Sequence, residues 1–283
     1  MNVFEAIILG IIQGLSEFLP ISSTAHLILA GKLMAGQMIE QFPERWTAFM
    51  AVIQLGTLLA VLVYFRNDII HIISEFLRDN LTQRKKFTEQ SLNSRLGWFI
   101  IIGTIPVVII GLAFKHQIEG TFTKNLMVIS FSLIILGILL AIAEKVSTFR
   151  KDIKEITWLD SFLAGCAQCL ALIPGSSRSG TTITAGLFLG FTRETAARFS
   201  FLLSIPAVLA SGLLEFKESL PYLDKGAALN LVLATVAAFI SGYLAIDFLL
   251  KFLRKNSTFI FVFYRIILGV TILGLIGFSI IKP

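Results

Sequence analysis

Charge is what this sequence has least of. Asp, Glu, Lys and Arg make up 15% of its 283 residues, against about 25% in an ordinary soluble domain. A water-facing surface cannot be built from so few, and the mean hydropathy of +0.83 points the same way. Cysteine is nearly missing too. Two residues, Cys166 and Cys169, exclude a disulfide framework. They stand in an apolar stretch without a second Cys or His pair at metal spacing, so packing is preferred to zinc or redox chemistry. Proline and glycine are too few for a disordered chain. The first 31 residues contain no Lys or Arg, which argues against the basic leader of a cleavable signal peptide. The expectation is a single membrane domain over 1–283.

What the sequence does have is long apolar runs. A spanning helix needs about 20 mostly apolar residues, and six segments qualify: roughly 47–65, 96–114, 124–143, 194–213, 228–250 and 258–281. Small residues along them (Gly97, Gly103, Gly111, Gly137, Gly212) are read as close helix packing. The net charge of +6 does not indicate nucleic acid, because the basic residues fall in short clusters between apolar runs.

Two further apolar regions, 3–36 and 157–190, are interrupted near the middle. The first carries Leu19-Pro20-Ile21-Ser22-Ser23-Thr24 and the second Ile173-Pro174-Gly175-Ser176-Ser177-Arg178. Pro disfavours helix for the residue before it, and Ser caps the helix that follows. Each region is therefore expected to be a re-entrant helical hairpin. The fold expected is all-α: six transmembrane helices and two hairpins.

Basic residues set the orientation. Loops 66–95, 145–156 and 251–257 hold thirteen Lys and Arg, against seven on the alternate side (Lys32, Arg45, Lys115, Lys124, Lys217, Lys225, Lys282). The first set should be cytoplasmic. Threading the chain this way gives a hairpin and three spans, then a second hairpin and three spans of opposite orientation. Sequence echoes agree: Gly10-x-x-Gln13-x-Leu15 with Gly165-x-x-Gln168-x-Leu170, and Pro20-x-Ser22-Ser23 with Pro174-x-Ser176-Ser177, the two blocks spaced differently by one residue. This is the pattern of an inverted repeat, with halves of about 1–145 and 157–283 and a site where the broken helices meet.

Ionisable groups at membrane depth cost about 2.5–3.5 kcal/mol each, so they are functional suspects. Gln13 and Glu17 share one helix face. Glu17 can hold a divalent cation, accept a proton, or bond to the hairpin backbone. Ser22 and Ser23 open the second half-helix, whose N-terminus favours an anion. His26 lies about one turn beyond Ser23 and can exchange a proton with it, or be satisfied by a backbone carbonyl. In Gly175-Ser176-Ser177-Arg178-Ser179-Gly180 the glycines permit close approach, the hydroxyls donate, and Arg178 offers a fork suited to phosphate. Arg178 can also pair with Glu17. Thr181 and Thr182 follow. His71 and His116 flank spans and are read as interfacial, and Arg193, Glu194 and Arg198 as residues of a cytoplasmic helix end.

The segments from Gln13 to His26 and from Leu172 to Gly180 resemble the two signature motifs of the undecaprenyl-diphosphate phosphatases of the bacitracin-resistance type, and the resemblance extends over the whole chain in length, span order and loop pattern. It implies a multi-pass enzyme of the bacterial cytoplasmic membrane, with its site open to the periplasm. That enzyme hydrolyses undecaprenyl diphosphate to the monophosphate carrier used in cell-wall synthesis. It depends on a divalent cation such as Mg or Ca. Glu17, Ser23, His26 and Arg178 match the family's essential residues, with Glu17 as metal ligand. Ser177 and Thr182 match supporting ones, and Gln13, Ser22, Thr24, Gly175, Ser176, Ser179 and Gly180 complete the expected substrate contacts. The expected partners are the prenyl diphosphate and membrane lipids, with a homodimer compatible. Two departures stand out: Gln13 where many members have Glu, which removes a carboxylate, and Ala25 where many have Gly. The competing function is a lipid or anion transporter built on the same repeat. Phosphate release without transmembrane movement in proteoliposomes separates the two.

Overall fold

The computed structural model describes residues 1–34, 41–114, 125–222 and 228–281. His116 and the lysines at 115, 124, 225 and 282 lie outside these residues. Among the described residues the chain is helical, with one isolated bridge between Lys151 and Phe191. The elements run α1 Val3–Phe18, α2 Ser23–Met34, α3 Pro43–Tyr64, α4 Arg66–Leu77, α5 Leu92–Ala113, α6 Leu126–Val146, α7 Trp158–Cys169, α8 Arg178–Phe188, α9 Arg193–Ser219, α10 Ala228–Leu253 and α11 Phe259–Gly277. The six segments expected to span are α3, α5, α6, α9, α10 and α11, and all six are long and apolar enough to cross a bilayer. Stripes of large apolar residues on their outer faces, such as Ile101, Ile105 and Ile109 on α5, are exposed, as a lipid-facing surface requires.

Each interrupted region is a helix, a break and a second helix, and the two helices of each pair pack together. The first break follows from Pro20, which holds Leu19 extended at φ −68° and ψ 142°. Asn2 and Glu5 close the start of α1 as a reciprocal capping box, and Thr157 and Asp160 do the same for α7. The inner helices start alike. Ser22 precedes α2 at φ 76° and Ser177 precedes α8 at φ 66°, both in the left-handed region that L-residues adopt at a cost of about 1–2 kcal/mol. Ser22 Oγ accepts from Ala25 N and Ser177 Oγ from Gly180 N. The structural interval between these caps is 155 residues (177 − 22), the same as between Gly10 and Gly165. The one-residue mismatch in the sequence echoes is absorbed between Pro174 and the cap, where Gly175 stands at φ 85°.

The outer helices of the two breaks pack in a matching way. Helix α1 lies on α10, the second of the three spanning-length helices after α8, and α7 lies on α5, the second of the three after α2. Glycine makes both approaches. A Cβ on Gly10 would sit 2.1 Å from Ala234 O, and one on Gly165 2.2 Å from Gly103 O. At Gly111 a Cβ meets nothing within 4 Å among the described residues, so that residue does not serve helix packing among them as expected. Cys166 likewise departs from expectation: it is exposed on the outer face of α7 beside Phe162 and Leu163.

One end of the bundle is tied together through the start of α9. Arg193 pairs with buried Glu144 on α6, Glu194 with Arg254 after α10, and Arg198 with Asp68 on α4. Arg193, Glu194 and Arg198 are thus joints between elements rather than simple terminal charges. These pairs bring the three basic loops to a common end, as the charge pattern expects. His71, on α4, is exposed at this end. Beyond α4 the buried Asp79 accepts from Ser91 N at 2.8 Å, Lys85 Nζ at 3.0 Å and Arg78 Nε at 3.2 Å.

Two outcomes follow. Gly10→Ala or Gly165→Ala should lower thermal stability in detergent by about 1–3 kcal/mol through overpacking, while Gly111→Ala, with open space around it, should leave the unfolding midpoint unchanged. The Ser91 N–H and its neighbours hold the Asp79 carboxyl well below the usual carboxylate range. Its stabilisation is therefore complete above the unfolded pKa of about 4 and declines as pH falls below it. Unfolding midpoints measured from pH 7 to pH 2.5 should show this decline, and Asp79→Asn should lower the midpoint at pH 7 and flatten the acid limb.

Candidate active site

The two breaks meet. Arg178, the first residue of α8, forms an ion pair through Nη2 with Glu17 Oε1 in the last turn of α1. The other carboxylate oxygen, Glu17 Oε2, accepts from Ser23 Oγ at 2.7 Å and from Gln13 Nε2 at 3.2 Å. Ser179 Oγ donates to Leu19 O at 3.1 Å and so fastens one tip to the other. Ser23 and Arg178 are each the first residue of an inner helix, 155 apart, so the two breaks present a hydroxyl and a guanidinium at matching places. The N-termini of α2 and α8 therefore converge beside Glu17. The leading amides of each helix lack carbonyl partners within it, which makes the region attractive to an anion.

Of the two partners the sequence allows it, His26 takes the backbone carbonyl. Its Nδ1 lies 2.7 Å from Ser22 O and its Nε2 2.6 Å from the hydroxyl of Tyr264 on α11. A carbonyl only accepts, so Nδ1 carries the hydrogen and Nε2 accepts from Tyr264. Ser23 thus donates to Glu17, and the imidazole steadies the start of α2 through the carbonyl of its cap.

The 175–180 loop is largely engaged in structure. Gly175 lies so close to α6 that a Cβ would sit 2.6 Å from Ile129 O, and a Cβ on Gly180 would sit 2.5 Å from Arg265 Nη1. The space these glycines leave is filled by protein, not reserved for a ligand. Thr182 Oγ1 donates to Arg178 O at 2.8 Å and contacts Ser200 Oγ on α9, while Thr181 Oγ1 donates to Arg178 O at 3.0 Å. Ser177 Oγ caps α8 and lies 3.2 Å from Ser179 Oγ. Ser176 is buried and its carbonyl accepts from Arg265 Nη2 at 2.9 Å. Thr24 is exposed at the start of α2. The polar side chains of the two motifs that keep some exposed surface are Glu17, Ser23, Thr24, His26, Ser177 and Arg178.

Tyr264 and Arg265 are the residues that motif reading missed. The signal was present: an Arg in the middle of the otherwise apolar span Phe259–Gly277 is a costly placement that asks for a reason.

The oxygen donors at the tips suit a hard divalent cation. Among the described residues no three His, Cys, Asp or Glu side chains converge, and Glu17 is the one carboxylate of the cluster. Such a donor set fits a cation that shares its coordination with bound phosphates, in the manner of magnesium sites built on one or two carboxylates.

The sequence profile of the bacitracin resistance protein BacA family matches residues 6–271. An undecaprenyl-diphosphatase of Syntrophobacter fumaroxidans is 59% identical over 276 residues, covering 98% of both chains. Proteins of the same name from Chlorobaculum tepidum and Myxococcus xanthus are 48% and 47% identical, each covering all of this chain and 100% and 92% of their own. With two broken-helix motifs joined through Glu17 and Arg178, and a match spanning nearly its full length, the chain belongs to the bacitracin resistance protein BacA family.

Proposed function

We propose that the protein hydrolyses undecaprenyl diphosphate to undecaprenyl monophosphate and inorganic phosphate, recycling the lipid carrier of cell-wall synthesis and so conferring bacitracin resistance. The observation that carries this reading is the continuous chain from Ser23 Oγ to Glu17 to Arg178, which unites a nucleophile, a base and an anion receptor across the two breaks. The two helix pairs are read as re-entrant hairpins, the halves as an inverted repeat, and the membrane as the bacterial inner membrane. Reciprocal packing and the 155-residue interval support the repeat. The gathering of basic loops at one end fixes which side is read as cytoplasmic, and the site is read as opening to the other, periplasmic side.

The diphosphate carries several negative charges and competes with Glu17 for Arg178. Its fork engages two phosphate oxygens, and the helix N-termini accommodate the rest. Glu17, released from the guanidinium, takes the Ser23 proton. Ser23 Oγ forms a bond to the terminal phosphorus as the bridging P–O bond breaks, and the lipid monophosphate leaves with the bond's electron pair. Water then cleaves the phosphoserine, Glu17 returns the proton to Ser23, and inorganic phosphate departs. Glu17 would also hold a divalent cation, Mg or Ca, together with the diphosphate. Such a cation would supply charge neutralisation at the leaving oxygen. Phosphoryl transfer rests mainly on alignment and electrostatics, which is what these residues provide. The tail stays among lipid and the apolar helix faces.

The test is phosphate release from undecaprenyl diphosphate by the purified protein. Ser23→Ala and Arg178→Ala should each lower kcat/KM by about 10³-fold, and acid-quenched wild type should carry phosphate on Ser23. His26→Ala should cost only about tenfold, in keeping with a base located at Glu17. Activity of Ser23→Ala within tenfold of wild type would refute nucleophilic attack by Ser23. Chelation should abolish turnover and added Mg or Ca should restore it; full activity in chelator would remove the cation from the scheme.

A further inference from the structure

Arg265 has no exposed surface at all. Among the described residues no carboxylate pairs with it, and its donors go to backbone carbonyls. Nη1 donates to Pro20 O at 3.4 Å and Nη2 to Ser176 O at 2.9 Å, one carbonyl from each break. Nε and Nη2 also reach Leu133 O and Ser132 O on α6, at 3.3 and 3.4 Å. A guanidinium buried without a carboxylate is costly, and an apolar side chain of the same volume would normally serve a membrane span better. Its geometry gives it one distinctive capability. The fork is planar and rigid, so holding Pro20 O and Ser176 O together fixes the separation and register of the two breaks. Pro20 precedes Ser23 by three residues, and Ser176 precedes Arg178 by two. The neighbouring Tyr264 reaches His26, so one turn of α11 holds both the break at Pro20 and the first turn of α2.

We propose that Arg265 is a positioning residue, which sets the tip bearing Ser23 against the tip bearing Arg178 so that both act on one phosphate. This rests on the phosphatase reading for its kinetic consequence but not for its structural one. A misplacement of about 1 Å in such a site costs about 100-fold in rate.

Arg265→Lys keeps the charge and gives up the fork. Gly180→Ala keeps Arg265 and displaces its Nη1, since the new Cβ would stand 2.5 Å from it. Both variants, with Arg265→Gln, are to be purified in detergent and checked by elution profile and unfolding midpoint. For Arg265→Lys, kcat on undecaprenyl diphosphate should fall about 100-fold with KM changed less than about threefold. In an Arg178→Lys background the same substitution should cost less than about fivefold, because the alignment it disturbs is already lost. A loss of folded protein would instead multiply unchanged in both backgrounds, and that result overturns the proposal. Hydrogen exchange followed by mass spectrometry supplies a readout without turnover. Amides of 19–24 and 173–180 should exchange at least about tenfold faster in the folded variants, with those of α3 and α9 unchanged. Wild-type exchange at both breaks in Arg265→Lys and Gly180→Ala refutes the clamp even if phosphate release falls. If wild type releases no phosphate, the phosphatase reading fails, and exchange alone decides the clamp.

Discussion

A helix broken inside an apolar protein exposes backbone groups that water does not reach, and satisfying those groups twice over, at two facing breaks, is the constraint on which this fold depends. The protein answers with polar side chains sent from one tip to the other. Ser179 reaches Leu19 O, Arg178 reaches Glu17, and Arg265 gathers carbonyls from both. Each of these contacts joins segments more than 80 residues apart, so neither tip has its present shape without the other. The polar cluster that results brings a hydroxyl, a carboxylate and a guanidinium into contact at the breaks.

Around that cluster the packing is close because glycine removes the obstacles. Gly10 and Gly165 let the outer helices of the two breaks sit against the backbones of α10 and α5, and Gly175 lets the second tip sit against α6. At the end that carries the basic loops the start of α9 collects Glu144, Arg254 and Asp68. The molecule is thus held by ion pairs at that end and by close backbone contact and tip-to-tip bonds deeper in the bundle.

Much of this was legible in the sequence. The spans follow from apolar runs of sufficient length, and the breaks follow from Pro20 and Pro174 with the serines behind them. The pairing of Glu17 with Gln13 follows from helical spacing, and its pairing with Arg178 from the scarcity of charge. What the sequence conceals are contacts set by tertiary approach. Ser23 and His26 are one turn apart, so local spacing suggests a partnership. The left-handed Ser22 turns its carbonyl to the imidazole instead, and the end of α1 brings Glu17 to Ser23. Gly175 and Gly180 read as space for a ligand because their protein neighbours, Ile129 and Arg265, lie far away in the chain. Arg265 itself was visible as a charge within a span, but only its surroundings show what it holds.

The left-handed caps at Ser22 and Ser177 fix a common starting point for α2 and α8, and one step beyond it stand Ser23 and Arg178. If the two halves descend from one duplicated segment, its earliest form carried the same side chain at both places. Two hydroxyls facing each other lack a cation, and two guanidiniums lack an attacking oxygen. On that descent, chemistry of the kind argued for here would have begun only when the copies diverged at that single position.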